Sequence, residues 1–253
     1  MLAGLATLGL SSCSPDRPVG SARVAAAADL QFAIREIAAQ FREKAGIKVK
    51  LALGSTGNFA RQIREGAPFE LFLAADEQFI LDLARDGFTR DEGTLYAIGR
   101  IVVKVPDGSP LKADGTLESL RAALAEGRIR RFAIANPEHA PYGQRAEEAL
   151  RHAGLWEAIQ PHLVLGENVA QAAQFALSGN AEGGIIAYSL ALAPDLARRG
   201  THDLIPEAWH QPLRQRMALL RGAGPAAQAF YAHVQSPASR VIMERYGFLL
   251  PAR

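Results

Sequence analysis

The chain has 253 residues and a formal net charge of +2 at neutral pH, a near balance that excludes a broad basic face for nucleic acid. With 49% apolar and 21% charged residues it has an ordinary globular composition, and it is long enough to bury a core as one large domain or two small ones. A single cysteine, Cys13, excludes an internal disulfide, and the six histidines show no metal-ligand spacing.

The front end differs from the rest. Met1 to Ser12 carries no charge and is rich in Leu, Ala and Gly. It is too short to span a bilayer as a helix and suits the apolar part of a secretion signal, although no Lys or Arg precedes it. The stretch ends Leu10-Ser11-Ser12-Cys13, which resembles the bacterial lipoprotein cleavage box. That resemblance implies that Cys13 becomes the lipidated first residue of the mature protein and anchors it to a membrane. Ser14 to Gly20 is polar and Pro-rich and reads as a tether.

After the tether the chain alternates strand and helix. Ala22–Ala27 is a short apolar run expected as a first, buried strand. Phe32, Ile34, Ile37, Ala38 and Phe41 recur at helical spacing, with Asp29 where an N-cap belongs and Gly46 as the stop. Ile47–Leu53 is the second strand; a helix beginning near Phe59 follows and ends near Gly66. Phe69–Ala75 is the third strand, and Asp76 caps a helix over Glu77–Arg85. Three βα units in so short a span indicate a parallel, doubly wound sheet.

Tyr96–Val105 reads as one long apolar strand, broken by Pro106-Asp107-Gly108-Ser109-Pro110. The rhythm then restarts, with helices at Leu117–Glu126, Gln144–Ala153 and Val169–Leu177 and strands at Arg131–Ala135, Leu163–Gly166 and Gly184–Ala187. Met217–Arg221 is a further strand, and Ala226–Tyr246 reads as largely helical. The pattern predicts an α/β protein of two lobes, each a doubly wound, mainly parallel sheet. One lobe takes residues 21–99 and 214–253, and the other, residues 100–213, is inserted into it. The chain therefore crosses between lobes twice, and residues 1–20 lie outside both.

Open α/β sheets bind ligands at the carboxyl ends of their strands, and two facing sheets aim those ends into one cleft. The loop Gly54-Ser55-Thr56-Gly57 ends a strand and opens a helix, whose first amides lack internal partners and carry partial positive charge. It has no Lys, so it is not a nucleotide phosphate loop. It offers neutral donors to a small oxyanion, or serves as an ordinary helix cap. Ala28-Asp29, Asn136 to Gly143 and Glu167 to Ala170 are the other strand-end loops. Five or six hydrogen bonds to a charged acceptor contribute on the order of 8–18 kcal/mol, against an association cost of about 4–15 kcal/mol; the ranges overlap heavily, but micromolar or tighter binding is within reach without any Lys or Arg. Arg61 and Arg64 lie past the first turn, on a face expected to be wet; Trp156 and Trp209 read as packing residues, and His139 as a solvated loop histidine.

Several stretches together resemble the periplasmic molybdate-binding proteins of ABC transporters. They are Ala25 to Leu30, Gly54 to Phe59, Gly66 to Phe69, Phe72 to Asp76, Asn136-Pro137-Glu138-His139-Ala140-Pro141-Tyr142-Gly143 and Arg245-Tyr246-Gly247-Phe248. The resemblance runs from Ala22 to Phe248. It implies a periplasmic, monomeric, non-enzymatic receptor of the periplasmic-binding-protein fold. Such a receptor holds molybdate or tungstate between its lobes through neutral donors, without a cofactor or direct metal ligands, and delivers it to a membrane permease. Carried over by position, the oxyanion contacts fall on Asp29, Ser55, Thr56, Tyr142 and Val169.

This chain departs from the best-known enteric members, which have Ser at the position of Asp29, Ala at Tyr142 and Tyr at Ala187. A carboxylate facing a dianion repels it. The expected resolution is that the Asp29 side chain caps its own helix while its amide faces the ligand. The alternative is that it accepts a proton from a protonated oxyanion such as hydrogen phosphate. Tyr142 either supplies a phenol donor or packs beside Pro141. Sulfate and phosphate are the runner-up ligands. A hydrolase is disfavoured, because a nucleophile elbow needs Gly two residues before Ser55 and Leu53 stands there. A cytoplasmic sensor domain fits neither the signal-like start nor the lack of an attached helix-turn-helix.

Overall fold

The computed structural model describes residues 20–251. Cys13 and the box around it lie outside the described residues. Ten strands form two separate five-stranded sheets, ordered β2-β1-β3-β10-β4 and β7-β6-β8-β5-β9.

The first sheet is built from β1 (Ala22–Ala27), β2 (Val49–Gly54), β3 (Leu71–Ala74), β4 (Thr94–Gly99) and β10 (Leu213–Leu219). Strand β1 lies between β2 and β3 and pairs in parallel with both, while β10 runs antiparallel to both β3 and β4. Alternation along the strands splits the core into two layers. Ala22, Val24, Ala26, Leu71, Leu73 and Met217 face α1 (Gln31–Ala45) and the C-terminal helices. Ala25, Phe72, Ala74 and Ala218 face α2 (Thr56–Arg64) and α3 (Glu77–Arg85).

The second sheet comprises β5 (Ile101–Val105), β6 (Phe132–Ala135), β7 (Leu163–Gly166), β8 (Gly183–Ala187) and β9 (Thr201–Leu204). Strand β6 pairs in parallel with β7 and β8, whereas β5 is antiparallel to β8 and β9. Around it lie α4 (Glu118–Ala125), α5 (Pro141–His152), the single turn α6 (Trp156–Ile159), α7 (Val169–Leu177) and the short α8 (Tyr188–Ala191) and α9 (Pro194–Ala197). Helices α10 (Pro225–Val234) and α11 (Pro237–Arg245) complete the first lobe. Both sheets are thus mixed: parallel where βα units lie side by side, antiparallel where a returning strand is inserted.

Four local readings are corrected. The run Tyr96–Val105 is not one strand: it breaks at Arg100, so that β4 ends in one sheet and β5 begins in the other. An apolar run has no mark for a change of sheet. The helix over Ala226–Tyr246 is two, because Pro237 lacks an amide hydrogen and cannot continue α10; Ser236 instead caps α11 by accepting from the Ser239 amide at 3.3 Å. Strand β10 starts at Leu213, four residues earlier than the apolar run suggests, since Arg214 points outward while Leu213 and Gln215 point inward. Helix α5 starts at Pro141 rather than Gln144, with the proline at its first position where no amide donor is needed. The strand Thr201–Leu204 has no counterpart in the sequence reading. It is a largely exposed edge strand of mixed polarity and carries no apolar alternation.

Candidate functional site

The strand ends converge on one small interlobe cavity. From the first lobe it is lined by Ala27, Ala28 and Asp29 after β1, by Gly54, Ser55 and Thr56 after β2, and by Ala75 after β3. From the second lobe come Ala140, Pro141 and Tyr142 at the start of α5 and Asn168 and Val169 at the start of α7. No lining residue is a Lys or an Arg. Asp29, Ser55, Thr56, Tyr142 and Val169 all border this one space.

Local geometry decides which donors are free. Asn168 caps α7, its side chain accepting from the amides of Ala170 and Gln171 at 3.0 and 3.1 Å. The amide of Val169, the first residue of that helix, is left for the cavity. In α5 the residue before Tyr142 is a proline, and the amides of Gly143 and Gln144 bond back to Ala140. Tyr142 therefore holds the free amide of that turn. The Thr56 hydroxyl oxygen accepts from the Ala75 amide at 3.0 Å, so its own proton is still available as a donor.

Ser55 behaves differently from Thr56. Its hydroxyl donates to the carbonyl of His139 at 2.6 Å and lies 2.9 Å from the His139 ring Nδ1. The Gly57 amide donates to the same carbonyl at 2.9 Å. His139 is therefore not a solvated loop residue; it sits at the seam and joins α2 of one lobe to the loop before α5 of the other. Asn58 donates to Glu167 nearby, and Arg145 lies 3.6 Å from Asp76 on the far side of the seam. The lobes are closed on each other.

Asp29 is not a cap. It lies in a 3-10 turn, Ala28–Leu30, ahead of α1, and neither that turn nor the helix has a side-chain capping bond. The carboxyl group is 1% exposed. Its Oδ2 accepts from Gln215 Nε2 at 2.6 Å and from the Tyr142 phenol at 3.0 Å, while its Oδ1 is buried without a partner. Burial raises its pKa to about 6 from the ordinary 3.8; the bonds from Gln215 and Tyr142, and the nearby amides of Asp29 and Leu30, pull the other way without closing a cap. Burial first, and the Asp29 charge second, push the phenols of Tyr142 and Tyr96 well above their usual range, so both remain donors.

Sequence reasoning missed the residues that hold this carboxyl. Gln215 accepts from the Tyr96 phenol at 2.8 Å and donates to Asp29, which fixes the orientation of its amide. Ser189 donates to the Asp29 carbonyl at 2.8 Å from the second lobe. Gly99 is needed as well, since a Cβ there would collide with the Tyr142 hydroxyl and approach Gln215 Nε2 to 2.8 Å. One signal was present in the sequence: Gln215 stands on the inward alternation of Leu213, Gln215 and Met217, and a polar residue on an apolar face asks for a partner.

Two α/β lobes linked by two crossings, closed over a small cavity lined mainly by neutral groups, have the architecture of a solute-binding receptor. The chain matches the family described as bacterial extracellular solute-binding protein over residues 22–249, and it belongs to that family. It is 35% identical to the molybdate-binding protein ModA of Azotobacter vinelandii over 243 residues, covering 95% of this chain and 93% of that protein. It is 33% identical to the Rhodobacter capsulatus molybdate-binding protein ModA, covering 91% and 88%. The solved periplasmic molybdate-binding protein of Azotobacter vinelandii superposes with a TM-score of 0.83 and 27% identity, over 92% of this chain and 100% of that one.

Proposed function

We propose that the protein captures molybdate or tungstate outside the cytoplasm and delivers it to the membrane permease of an ABC transporter. The observation that carries this reading is the donor set. The amides of Tyr142 and Val169 and the hydroxyl of Thr56 converge from both lobes on a cavity with no cationic side chain. A dianion so held is stabilised by fixed dipoles and helix N-termini, not by ion pairs. Because the contacts come from both lobes, ligand favours the closed form, and closure is the state a permease would recognise. The oxyanion roles of Asp29, Ser55, Thr56, Tyr142 and Val169 belong to this proposal. So do the permease partner, the monomeric state and a lipid anchor at Cys13. Ser55 contributes its backbone and its lock on His139, since its hydroxyl is engaged there.

Thermal melts with molybdate, tungstate, sulfate and phosphate test the reading. A ligand held only by the folded state stabilises it by about 2.7 kcal/mol at a hundredfold excess over Kd. Molybdate and tungstate are expected to raise Tm at micromolar concentration, with sulfate and phosphate far weaker. A rise with sulfate or phosphate alone would overturn the assignment.

A further inference from the structure

Asp29 is the one acid in a cavity otherwise built for an anion, and its surroundings fix where a proton can go. Oδ2 already accepts two hydrogen bonds, from Gln215 Nε2 and from the Tyr142 phenol. The phenol is oriented toward Asp29, because Gln215 Nε2 also donates to it at 3.2 Å. Oδ1 is buried without a hydrogen-bond partner, and Asp29 is one of the residues that line the cavity. An ionised Oδ1 would confront a tetrahedral dianion with a bare negative charge in a dry site. A protonated Oδ1 would confront it with an O–H donor.

We propose, building on the receptor reading, that Asp29 enters the ligand complex as a neutral carboxylic acid. Its Oδ1–H donates to the oxyanion, and each dianion is bound together with one proton taken from solvent. The proton sits on Oδ1, no bond of the ligand is broken, and the complex gains a single negative charge. The groups that face Asp29 can neither supply nor replace this proton. Tyr142 on α5 and Tyr96 on β4 are phenols held neutral by burial. Strand β10 presents the amide of Gln215, α8 the hydroxyl of Ser189, and the starts of α2 and α7 the neutral Thr56 and Val169. No charged side chain lines the cavity besides Asp29 itself. The carboxyl is already poised, with a pKa near 6 before any anion arrives, and a dianion beside it raises that further.

The test is calorimetric titration of the purified full chain with sodium molybdate, in two buffers of different ionisation enthalpy, across about pH 6 to 8.5. For the wild type, uptake is expected to approach one proton per molybdate near pH 8, with affinity falling about tenfold per pH unit above the free carboxyl's pKa. In Asp29→Asn the amide oxygen takes over the bonds from Gln215 and Tyr142, and the amide NH₂ permanently donates where Oδ1–H would. That variant is expected to take up no proton, to bind with a flat pH profile, and to exceed wild-type affinity near pH 8.5. Molybdate binding by the wild type without proton uptake near pH 8 would overturn the proposal, with no variant required. The same uptake in Asp29→Asn would also overturn it, by placing the proton elsewhere. If neither protein bound molybdate at any pH, the receptor reading itself would fall, and this inference with it.

Discussion

The phenol of Tyr142, on the second lobe, donates to the carboxyl of Asp29, on the first, at 3.0 Å and out of contact with water. The bond is both a contact between lobes and a support for the one acid in the cavity. In Tyr142→Phe, Oδ2 keeps only Gln215, and the closed, liganded state loses a hydrogen bond between the lobes to a neutral carboxyl. Such bonds contribute about 0.5–1.5 kcal/mol, so a drop in molybdate affinity of about two- to tenfold is expected in calorimetric titration. Because the ring still fills its site, Tm without ligand should change far less than affinity does.

Gly57 and His139 meet at the same seam. A Cβ on Gly57 would stand 2.6 Å from the His139 carbonyl oxygen and 3.1 Å from its Cα, both in the other lobe. Neither the carbonyl nor the backbone behind it can give way cheaply. Gly57→Ala is therefore expected to hold the lobes apart. In the first turn of α2 the same substitution favours the helix by about 0.5–1 kcal/mol. Ligand affinity should fall at least tenfold while the ligand-free Tm stays level or rises. Scattering with saturating molybdate would show whether the variant remains open.

Thr56 has a structural duty beside its ligand role. Its hydroxyl is the acceptor for the buried Ala75 amide. Thr56→Val keeps the shape and removes that acceptor, leaving a buried donor unpaired at a cost of about 1–3 kcal/mol. Thr56→Ser keeps the oxygen. Urea denaturation should show the loss in Val and largely not in Ser, and the ligand affinity of Val should fall in addition.

The Asp29 carboxyl also ties stability to pH. Its pKa is about 6 when folded and near the ordinary 3.8 when unfolded. Between those values the native state binds more protons than the unfolded one, so stability falls as pH rises. The contribution is fully present below the unfolded value and lost above the folded one, on the order of 3 kcal/mol in all. From about pH 5 to 7.5 the ligand-free protein should lose about 1.4 kcal/mol of it relative to Asp29→Asn. Comparison with that variant cancels His202, His210 and His233, whose pKa values are lowered by burial and which act in the opposite sense. Parallel urea melts of the two proteins at both pH values measure the difference.

The sequence by itself determined the βα rhythm, the two sheets and the loops that face the cleft. It could do so because apolar spacing, helix caps and glycine stops are set by residues within a few positions of one another. The strand-end loops that hold Asp29, Ser55, Thr56, Tyr142 and Val169 were legible for the same reason, while the choice of those five residues within the loops came from the family resemblance. What those side chains do once there was decided only by the tertiary structure. Asp29 is held from positions 113 and 186 residues away, by Tyr142 and Gln215, and the Ser55 hydroxyl is turned aside by a carbonyl 84 residues away. No local pattern could separate a capping carboxyl from one folded into a buried network, or an open hydroxyl from one locked across a seam. A polar group's role depends on which partners the fold brings to it, and here those partners come from the other lobe or from the returning strand.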